Sequence, residues 1–418
     1  MAVGVIDCDN FYVSCERILR PDIKKIPCIV LSNNDGCIIA RSKEVKEMGI
    51  PMGAPLFKYK EMIEKNKILV FSSNYTLYDD ISKRVMSIIK SFAKNVEVYS
   101  IDEAFVDLEE IEDKEKFLEK VKEKIEKWTK IPVSIGIGET KVLSKIALKF
   151  AKKMENRKIF NIIDHKEKDE LLKKIEVEDI WGIGPISAKL LREKGITNAF
   201  QFKNLDVKWV KENLTLKGLK ILNEIKGIKC FKIEENAKIK SISVSRTFGE
   251  KIESFKEIKE AVSYLISLAA ERLRSENLLA KKICVYIMSS PFQKNFYYRA
   301  EKLNLPAPTA YTPDIVKFGE RILKIIFKEG IKYKKAGVYL YGLIEDEKNI
   351  KSVFSDKLLF NDKKRKIILA IDKINKNFGR NTIYLASGFI TKRWNTVQIF
   401  RSKRYTTRWD ELKTVKVL

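Results

Sequence analysis

Short apolar runs and longer helical patterns alternate through the first 165 residues. Runs of four to six apolar residues predict buried strands, and apolar residues spaced by three and four predict helices. The predicted strands are 3–6, 28–31, 96–99, 104–108 and 132–137, and the predicted helices are 42–48, 78–94, 114–127 and 141–153. This succession resembles a βαββαβ unit and predicts a mixed sheet with helices on one face.

The pattern changes after residue 166 to short helices, with a Gly-rich hairpin that runs into a helix at 180–194. A second βαββαβ unit follows, with strands 239–248, 282–288, 296–303 and 335–343 and helices 254–274 and 312–327. A polar linker is predicted at 345–351, and the remainder reads as a small basic domain. The whole pattern predicts an α+β protein with several domains.

The net charge of the chain indicates a class of partner. The chain has 418 residues, with 82 basic and 56 acidic side chains and a net charge of +26. An excess of this size favours a polyanionic partner such as nucleic acid, although lysines on solvated faces would produce the same total. Residues 351–418 hold 17 basic and 5 acidic side chains, so the excess is concentrated in the C-terminal region.

Several classes of chemistry are disfavoured. The six cysteines form no C-x-x-C pair, and the single histidine, His165, lies in a polar stretch, which leaves little basis for a zinc site or a histidine-dependent nucleophile. The N-terminus lacks a signal-peptide pattern, and no apolar stretch reaches 18 residues. We therefore expect a cytoplasmic protein without a membrane segment, whose chemistry uses carboxylates and metal.

Three carboxylates stand at the ends of predicted strands: Asp7, Asp102 and Glu103. Neighbours 102 and 103 would point to opposite faces of a regular strand, but a turn between the two strands can direct both to one place. Beside the first strand, the three could hold two Mg²⁺ ions about 3.5–4 Å apart. The alternative is that each acid is solvated at the end of its strand.

Aromatic and basic residues surround these acids in the sequence. Phe11 and Tyr12 could stack under a nucleotide sugar and exclude a 2′-hydroxyl, or they could be core residues. Two basic groups could hold a triphosphate, or they could be solvated helix faces. The groups are Arg41, Lys43 and Lys46, and then Lys145, Lys149 and Lys152.

The hairpin Gly182-Ile183-Gly184 precedes a helix that begins at Pro185. Backbone N–H groups at such a helix start can contact a phosphate. The pattern resembles a helix-hairpin-helix motif, which holds the DNA backbone without reading sequence.

Two segments resemble the Y-family DNA polymerases: VIDCDNFY at 5–12 and YSIDEAF at 99–105. Three others resemble the UmuC branch of that family, which contains the catalytic subunit of DNA polymerase V. They are SNNDGCIIARS at 32–42, FSSNY at 71–75 and RYTTRW at 404–409. The resemblance extends over essentially the whole chain.

The resemblance implies a right-hand polymerase with five parts. The parts are a ferredoxin-like palm (1–19 and 73–165), small fingers (20–72), a helix-hairpin-helix thumb (166–235), a βαββαβ little finger that binds DNA (236–345) and a basic tail domain (346–418). The implied function is error-prone translesion synthesis on damaged DNA in the SOS response, with primer-template DNA and dNTPs as substrates.

The resemblance also assigns roles to residues. Asp7, Asp102, Glu103 and the Cys8 carbonyl match the ligands of two Mg²⁺ ions, for which Mn²⁺ can substitute. Tyr12 matches the sugar gate, and Lys46 and Lys152 match contacts to the triphosphate. The expected nucleotide site also includes Phe11, Arg41 and Lys43, and the expected DNA contacts are Gly182, Gly184, Lys189, Ser245 and Arg246.

Protein partners are implied by the resemblance alone. Leu358, Leu359 and Phe360 match the apolar anchors of a sliding-clamp peptide, but the leading Gln of that peptide is absent. A UmuD-type dimer and a recombinase filament are the other implied partners. Two alternatives remain open at this stage: a nucleotide cyclase with a similar palm, and a DNA-binding scaffold without catalytic activity.

Overall fold

The computed structural model describes residues 2–163, 165–234, 238–346, 362–379, 381–388 and 394–412. The chain divides into two compact units. The first contains the chain up to residue 32, residues 36–237 and residues from 400 onward; the second contains residues 33–35 and 238–399. No helix among the described ranges is long and apolar enough to cross a membrane.

The first unit contains eight strands and ten α-helices among its described residues. The strands are β1 Val3–Cys8, β2 Cys28–Leu31, β3 Ile38–Arg41, β4 Leu69–Ser72, β5 Val96–Val98, β6 Glu103–Asp107, β7 Val133–Gly138 and β8 Ile159–Asn161. The helices are α1 Phe11–Ile18, α2 Lys43–Glu47, α3 Lys60–Lys65, α4 Tyr75–Phe92, α5 Lys114–Thr129, α6 Lys141–Ala151, α7 Lys168–Lys173, α8 Pro185–Glu193, α9 Ala199–Lys203 and α10 Val207–Ile225.

The main sheet of this unit has the order β5-β6-β1-β7-β8. The central strand β1 is antiparallel to both of its neighbours, whereas β7 and β8 are parallel. The predictions of β1, β5, β6 and β7 are confirmed. The prediction did not include β8, a strand of only three residues at the edge of the sheet.

Helices cover both faces of this sheet, so the prediction of helices on one face is wrong. A Cβ atom at Gly4 of β1 would lie 3.3 Å from Leu118 of α5. On the opposite face, a Cβ at Gly136 of β7 would lie 2.2 Å from the Ser144 carbonyl of α6. Gly136 pairs with Val5 and not with Gly4, which places the two helices on opposite faces. Glycine allows the backbone of α6 to approach the sheet this closely.

A second sheet of the first unit, with the order β3-β2-β4, joins strands that the prediction mostly missed. Strand β2 is antiparallel to β3 and parallel to β4. Its side chains alternate between two cores, with Cys28 and Val30 in one and Ile29 and Leu31 in the other. The parallel β2–β4 pairing requires residues that are 41 positions apart, which local patterns do not reveal.

Helices α7 to α10 share an apolar core with α6. The predicted hairpin before α8 is confirmed, since Gly182 has φ +96° and Gly184 immediately precedes the helix. The buried Glu224 of α10 links this core to α6, because its carboxylate accepts from the Val142 amide at 3.2 Å.

The second unit contains one sheet of four long antiparallel strands in the order β11-β10-β12-β9. Its elements are β9 Ser241–Ile252, α11 Phe255–Ser275, β10 Leu278–Ser289, β11 Tyr298–Thr309, α12 Thr312–Ile326, β12 Tyr333–Glu345 and α13 Asp362–Phe378. All six elements predicted between 239 and 343 are confirmed, and each strand is longer than predicted. The prolines 306 and 308 are tolerated because β11 is an edge strand.

The described part of the tail does not form a compact unit of its own. Helix α13 belongs to the second unit, where Asp372 forms a bidentate ion pair with Arg274 of α11 at 2.6 and 2.8 Å. Residues 400–412 belong instead to the first unit. The tail expected as one domain at 346–418 is therefore divided between two units.

Candidate active site

Two of the three candidate acids lie side by side on neighbouring strands. Asp7 of β1 pairs in register with Glu103 of β6. Residues that pair directly share a face of the sheet, so both carboxylates lie on the face that α6 covers.

Asp102 lies in the turn that leads into β6. Its carbonyl accepts from the Cys8 amide at 2.8 Å, and the Ser100 hydroxyl donates to its carboxylate at 2.5 Å. The Glu103 carbonyl also accepts from the amides of Tyr99 and Ser100. This tight turn holds Asp102 beside the end of β1, close to Asp7 and Glu103, as expected from the sequence.

Two lysines, Lys145 in α6 and Lys152 at its C-terminal cap, reach these acids. The Lys152 ammonium lies 2.6 Å from Asp7 Oδ1, and the Lys145 ammonium lies 2.7 and 2.8 Å from the two oxygens of Glu103. Positions 145 and 152 are two helical turns apart and therefore lie on one face of the helix. Because α6 packs closely on the sheet, it delivers one cation to each buried carboxylate.

The electrostatics of the cluster oppose full ionisation of Asp7. The pKa of Asp7 is raised to about 6, because burial raises it by more than Lys152 lowers it and the charges of Glu103 and Asp102 add to the rise. Burial alone would lower the pKa of Lys152, but the acids raise it above its usual value. The buried carboxylates therefore require positive charge, which the lysines supply here.

The donor set is suited to Mg²⁺, which prefers carboxylate and carbonyl oxygens. Asp7, Asp102, Glu103 and the Cys8 carbonyl are available on adjacent segments of chain. Within the described ranges, no group of three or more His, Cys, Asp or Glu side chains is already arranged around a metal position. The ammonium groups of Lys152 and Lys145 pair with Asp7 and Glu103 and balance their negative charge.

Tyr12 and Phe11 have different environments. Phe11 is 3% exposed and packs in the core of the main sheet, which agrees with the alternative of a core residue and not with a nucleotide contact. Tyr12 is half-buried, and its ring stacks on Tyr78 at 4.6 Å with an interplanar angle of 17°. Tyr75 approaches Tyr12 edge-on at 6.0 Å. Tyr12 is thus backed by other aromatic rings.

The predicted basic group at 41–46 is only partly brought to the site. The Lys46 ammonium donates to Asn10 Oδ1, and burial together with the charges of Lys152 and Arg41 lowers its pKa. Arg41 donates to the Ile50 carbonyl. Lys43 is instead exposed and forms an i,i+4 pair with Glu47 at 3.8 Å, as on a solvated helix face.

Asp9, Ser134 and Lys158 received no role in the prediction from sequence. The buried Asp9 accepts from the Ser134 hydroxyl at 2.8 Å and from the Lys158 ammonium at 2.6 Å. Asp9 stands in the same segment as Asp7, but its partners lie more than 120 residues away. Lys145 was considered only as a triphosphate contact, and its pairing with Glu103 has no local signal.

The expected DNA contacts are spread over both units. Around the hairpin, a Cβ at Gly182 would lie 2.7 Å from Ile221, whereas Gly184 has open space beside it. Lys189 of α8 is exposed, 3.8 Å from Glu193. The hairpin therefore presents the start of α8 to solvent.

The remaining two expected contacts point to opposite faces of the four-stranded sheet. Ser245 of β9 is exposed, on the face away from α11 and α12. Arg246 is directed to the helix side, where its guanidinium lies 5.2 Å from the ring of Tyr264 and 5.6 Å from that of Trp394. Ser245 and Arg246 thus lie on opposite faces, because consecutive strand residues alternate, and the contact of either residue with DNA stays a prediction.

The outer face of this sheet, on the Ser245 side, is rich in lysine and tyrosine. The strand registers place these residues on it: Lys282, Tyr286, Tyr298, Lys302, Lys335, Tyr339 and Tyr341. The Tyr286 ring lies over Gly337, where a Cβ would be 2.3 Å from the ring, and it packs near Tyr298 and Tyr339. The clamp anchors Leu358, Leu359 and Phe360 lie outside the described residues.

Comparison with known proteins identifies the family of this chain. Residues 6–149 match the model of the impB/mucB/samB family, 239–352 match the model of that family's C-terminal domain, and 365–415 match a domain of unknown function, DUF4113. Protein UmuC of Salmonella typhimurium is 35% identical over 99% of this chain and 100% of its own length. DNA polymerase IV of Ureaplasma parvum is 26% identical over 84% of this chain and 96% of its own length.

A solved structure agrees with the fold. The Y-family DNA polymerase chimera Dbh-Dpo4(243-245)-Dbh has a TM-score of 0.68 and 22% identity, and the alignment covers 82% of this chain and 100% of the chimera. Together with the whole-length similarity to UmuC, this shows that the chain belongs to the impB/mucB/samB family of Y-family DNA polymerases.

Proposed function

We propose that this protein adds dNTPs to a primer 3′ end opposite a template, by two-metal nucleotidyl transfer, and that it is specialised for error-prone translesion synthesis in the SOS response. The observation that carries the proposal is the pairing of Asp7 with Glu103, with the Asp102 turn bonded to the end of β1. Three carboxylates at one place, facing lysines, provide both a cation site and a triphosphate site.

Asp7, Asp102, Glu103 and the Cys8 carbonyl would hold the metal ions. When bound, two Mg²⁺ ions would lower the pKa of the primer 3′-hydroxyl and neutralise charge on the leaving pyrophosphate. The burial of Glu103, which is 5% exposed, keeps water away from this side of the cluster. The low exposure strengthens every charge interaction there.

Lys152 and Lys46 are the proposed contacts to the triphosphate. Lys152 pairs with Asp7 near the end of β1, and Lys46 donates to Asn10 in the turn that follows β1. An ammonium that is freed from Asp7 remains beside the site and can hold the phosphates as a point charge. Lys145 would keep Glu103 oriented.

Tyr12 is the proposed sugar gate. A ring fixed by stacking on Tyr78 cannot easily move away from a sugar, so an added 2′-hydroxyl would clash with it. Phe11, being buried, is not a substitute for it.

The structural parts fit the proposed subdomains. The five-stranded sheet is the palm, the three-stranded sheet lies in the fingers, α7–α10 form the thumb, and the four-stranded sheet is the little finger. The Lys/Tyr outer face of the last sheet suits a duplex backbone, because lysines displace phosphate counterions. The proposed setting is the cytoplasm, at the nucleoid.

The first experiment is primer extension with Mg²⁺ and all four dNTPs, comparing the parent with Asp102→Ala. The matched control is Asp107→Ala, a carboxylate at the other end of β6. The proposal predicts extension by the parent and the control, and none by Asp102→Ala. Retained synthesis by Asp102→Ala would refute the metal assignment, and cyclic nucleotide formation would identify a cyclase instead.

The second experiment tests the gate by comparing incorporation of rNTPs and dNTPs. Tyr12→Ala should admit ribonucleotides, whereas Tyr12→Phe, which keeps the ring, should not. Equal discrimination by all three proteins would place the gate elsewhere.

The proposed protein partners rest on the family resemblance. A UmuD-type dimer and a recombinase filament would be added if the parent alone shows no extension. A peptide of residues 350–364 should bind the sliding clamp in a calorimeter, and an absence of heat would remove the clamp from the proposal.

A further inference from the structure

The C-terminal segment 400–403 forms part of the first unit, where it lies against the end of β4. The Ser72 amide donates to the Phe400 carbonyl at 3.1 Å, and the Phe400 amide donates to the Ser72 hydroxyl at 2.9 Å. A parallel bridge also joins Ser72 and Arg401. The segment therefore makes one strand-like contact at the last residue of β4.

Asn74 fixes the same segment to the start of α4. Its side-chain amide donates to the Ser402 hydroxyl at 2.9 Å and to the Ser402 and Lys403 carbonyls at 3.2 and 3.3 Å. Its side-chain oxygen accepts from Leu77, in the first turn of α4. Two of the sequence motifs are thereby explained together, because the FSSNY motif provides the residues that hold the segment preceding RYTTRW.

Ser402 also reaches a buried carboxylate. Glu16 of α1 is 2% exposed, and its Oε1 accepts from the Ser402 hydroxyl at 3.0 Å and from the Tyr78 hydroxyl at 2.7 Å. Burial raises the pKa of Glu16, while these two hydrogen bonds lower it. A buried acid is sensitive to the loss of a hydrogen-bond donor.

Tyr78 connects this carboxylate to the sugar gate. Its side chain is fully buried, its hydroxyl is held by Glu16, and its ring is the surface on which Tyr12 stacks at 4.6 Å. The position of Tyr12 thus depends on a chain of contacts that begins at Ser402 and passes through Glu16 and Tyr78.

The residues beyond Ser402 form a turn that closes on itself. Arg404 forms an ion pair with Glu411, to which its own amide also donates at 2.6 Å, and Arg408 pairs with Asp410. Ser402 is therefore held by an ordered segment and not by a freely moving end.

We infer that the C-terminal segment 400–403 is a structural component of the sugar gate, and that Ser402 is a positioning residue for Tyr12, acting through Glu16 and Tyr78. This inference rests on the proposed role of Tyr12 in excluding ribonucleotides. It assigns the tail a contribution to sugar selectivity.

The test measures the ratio of kcat/KM for a dNTP to that for the matching rNTP. Ser402→Ala removes a donor to Glu16, so the ratio should fall about 3- to 10-fold, the effect expected of one ordinary intramolecular hydrogen bond. Ser402→Thr, which keeps the hydroxyl, should restore it. Lys403→Ala is the matched control, because Lys403 is exposed and contributes its carbonyl to Asn74. Both kcat/KM values of a ratio are measured on one preparation. A partial loss of folded protein lowers both values equally and leaves their ratio unchanged.

A double mutant separates this inference from the proposed function. In a Tyr12→Ala background, Ser402→Ala should cause no further change in the ratio, because the residue that it positions is gone. If Tyr12→Ala lowers the ratio and Ser402→Ala does not, the inference is wrong and the gate stands. If Tyr12→Ala has no effect, the gate assignment itself fails and the inference fails with it. An undiminished Ser402→Ala effect without Tyr12 would also overturn the inference.

Discussion

The two large sheets of this protein differ in how their second faces are used. The five-stranded sheet has α5 on one face and α6 on the other, whereas the four-stranded sheet has α11 and α12 on one face and, among the described residues, no helix on the other. The covered face encloses Asp7 and Glu103 with two lysines. The open face presents lysines and tyrosines to solvent. We propose that the enclosed face provides the charged site for chemistry and that the open face provides the surface that holds DNA.

Glycines at comparable strand positions help to create this difference. The missing side chain at Gly136 lets the backbone of α6 lie against β7, while the missing side chain at Gly337 lets the Tyr286 ring lie flat on the open sheet. Backbone cannot yield to an added methyl group, but the far end of the Tyr286 side chain can shift. The comparison can therefore be tested by adding the same atom at both positions.

The largest expected effect is on the covered face. Gly136→Ala would place a Cβ 2.2 Å from the Ser144 carbonyl and 2.3 Å from the Leu148 amide, so α6 must shift with its lysines. We expect a loss of about 3 kcal/mol in the free energy of unfolding, measured by urea denaturation. Gly337→Ala should cost only about 1 kcal/mol, because a ring can yield. Equal losses would contradict the contrast between the faces.

The second prediction concerns the charge enclosed on the covered face. The folded-state pKa of Asp7 is about 6, against an ordinary value of 3.8, so between these values the folded state binds more protons than the unfolded state. In metal-free protein the Asp7 contribution to the free energy of unfolding should therefore fall as pH rises through this window, by at most about 3 kcal/mol.

The matched variant for this prediction is Asp7→Asn, which does not titrate. Unfolding of both proteins in chelator at several pH values isolates the Asp7 contribution as their difference. Added Mg²⁺ should restore stability above the window, since bound cation favours the folded state. The prediction would be contradicted if the free energy of unfolding of the parent rose relative to that of Asp7→Asn as the pH rises. In that case the attraction between Asp7 and the lysines would exceed the cost of burying its charge.

The third and smallest effect is expected on the open face. Replacing Lys282, Lys302 and Lys335 together with Ala should weaken DNA binding about 10-fold and reduce the slope of log affinity against log salt by up to about 3. The control replaces Lys256, Lys317 and Lys324, which are exposed on α11 and α12. Equal losses in both triple variants would show that only total charge matters.

Much of the secondary structure was predictable from local pattern, because strong apolar periodicity survives into the tertiary fold. Asp7 could be placed at a strand end, and Asp102 in a turn, from their flanking apolar runs alone. The errors concerned the directions in which adjacent side chains point. Phe11 and Tyr12 are adjacent in α1 and point different ways, so they do not share one role, and Ser245 and Arg246 point to opposite sheet faces.

Other features had no local signal. The pairing of Lys145 with Glu103 depends on the close approach of α6 to β7, and the pairing of β2 with β4 depends on distant residues. The contact of Ser402 with Glu16 joins positions separated by 386 residues. Motifs in the sequence marked these segments as characteristic of a family, but only the fold shows what they contact.

The most direct test of the division between the two faces is a single-turnover measurement that yields both the DNA dissociation constant and the incorporation rate at saturating DNA. Asp102→Ala should bind DNA as the parent does and lose rate on the order of 10³-fold. The triple variant of Lys282, Lys302 and Lys335 should bind more weakly and, once saturated, incorporate at the parent rate. The account would be contradicted if the lysine variant lost its saturated rate, or if Asp102→Ala lost DNA affinity and kept its rate.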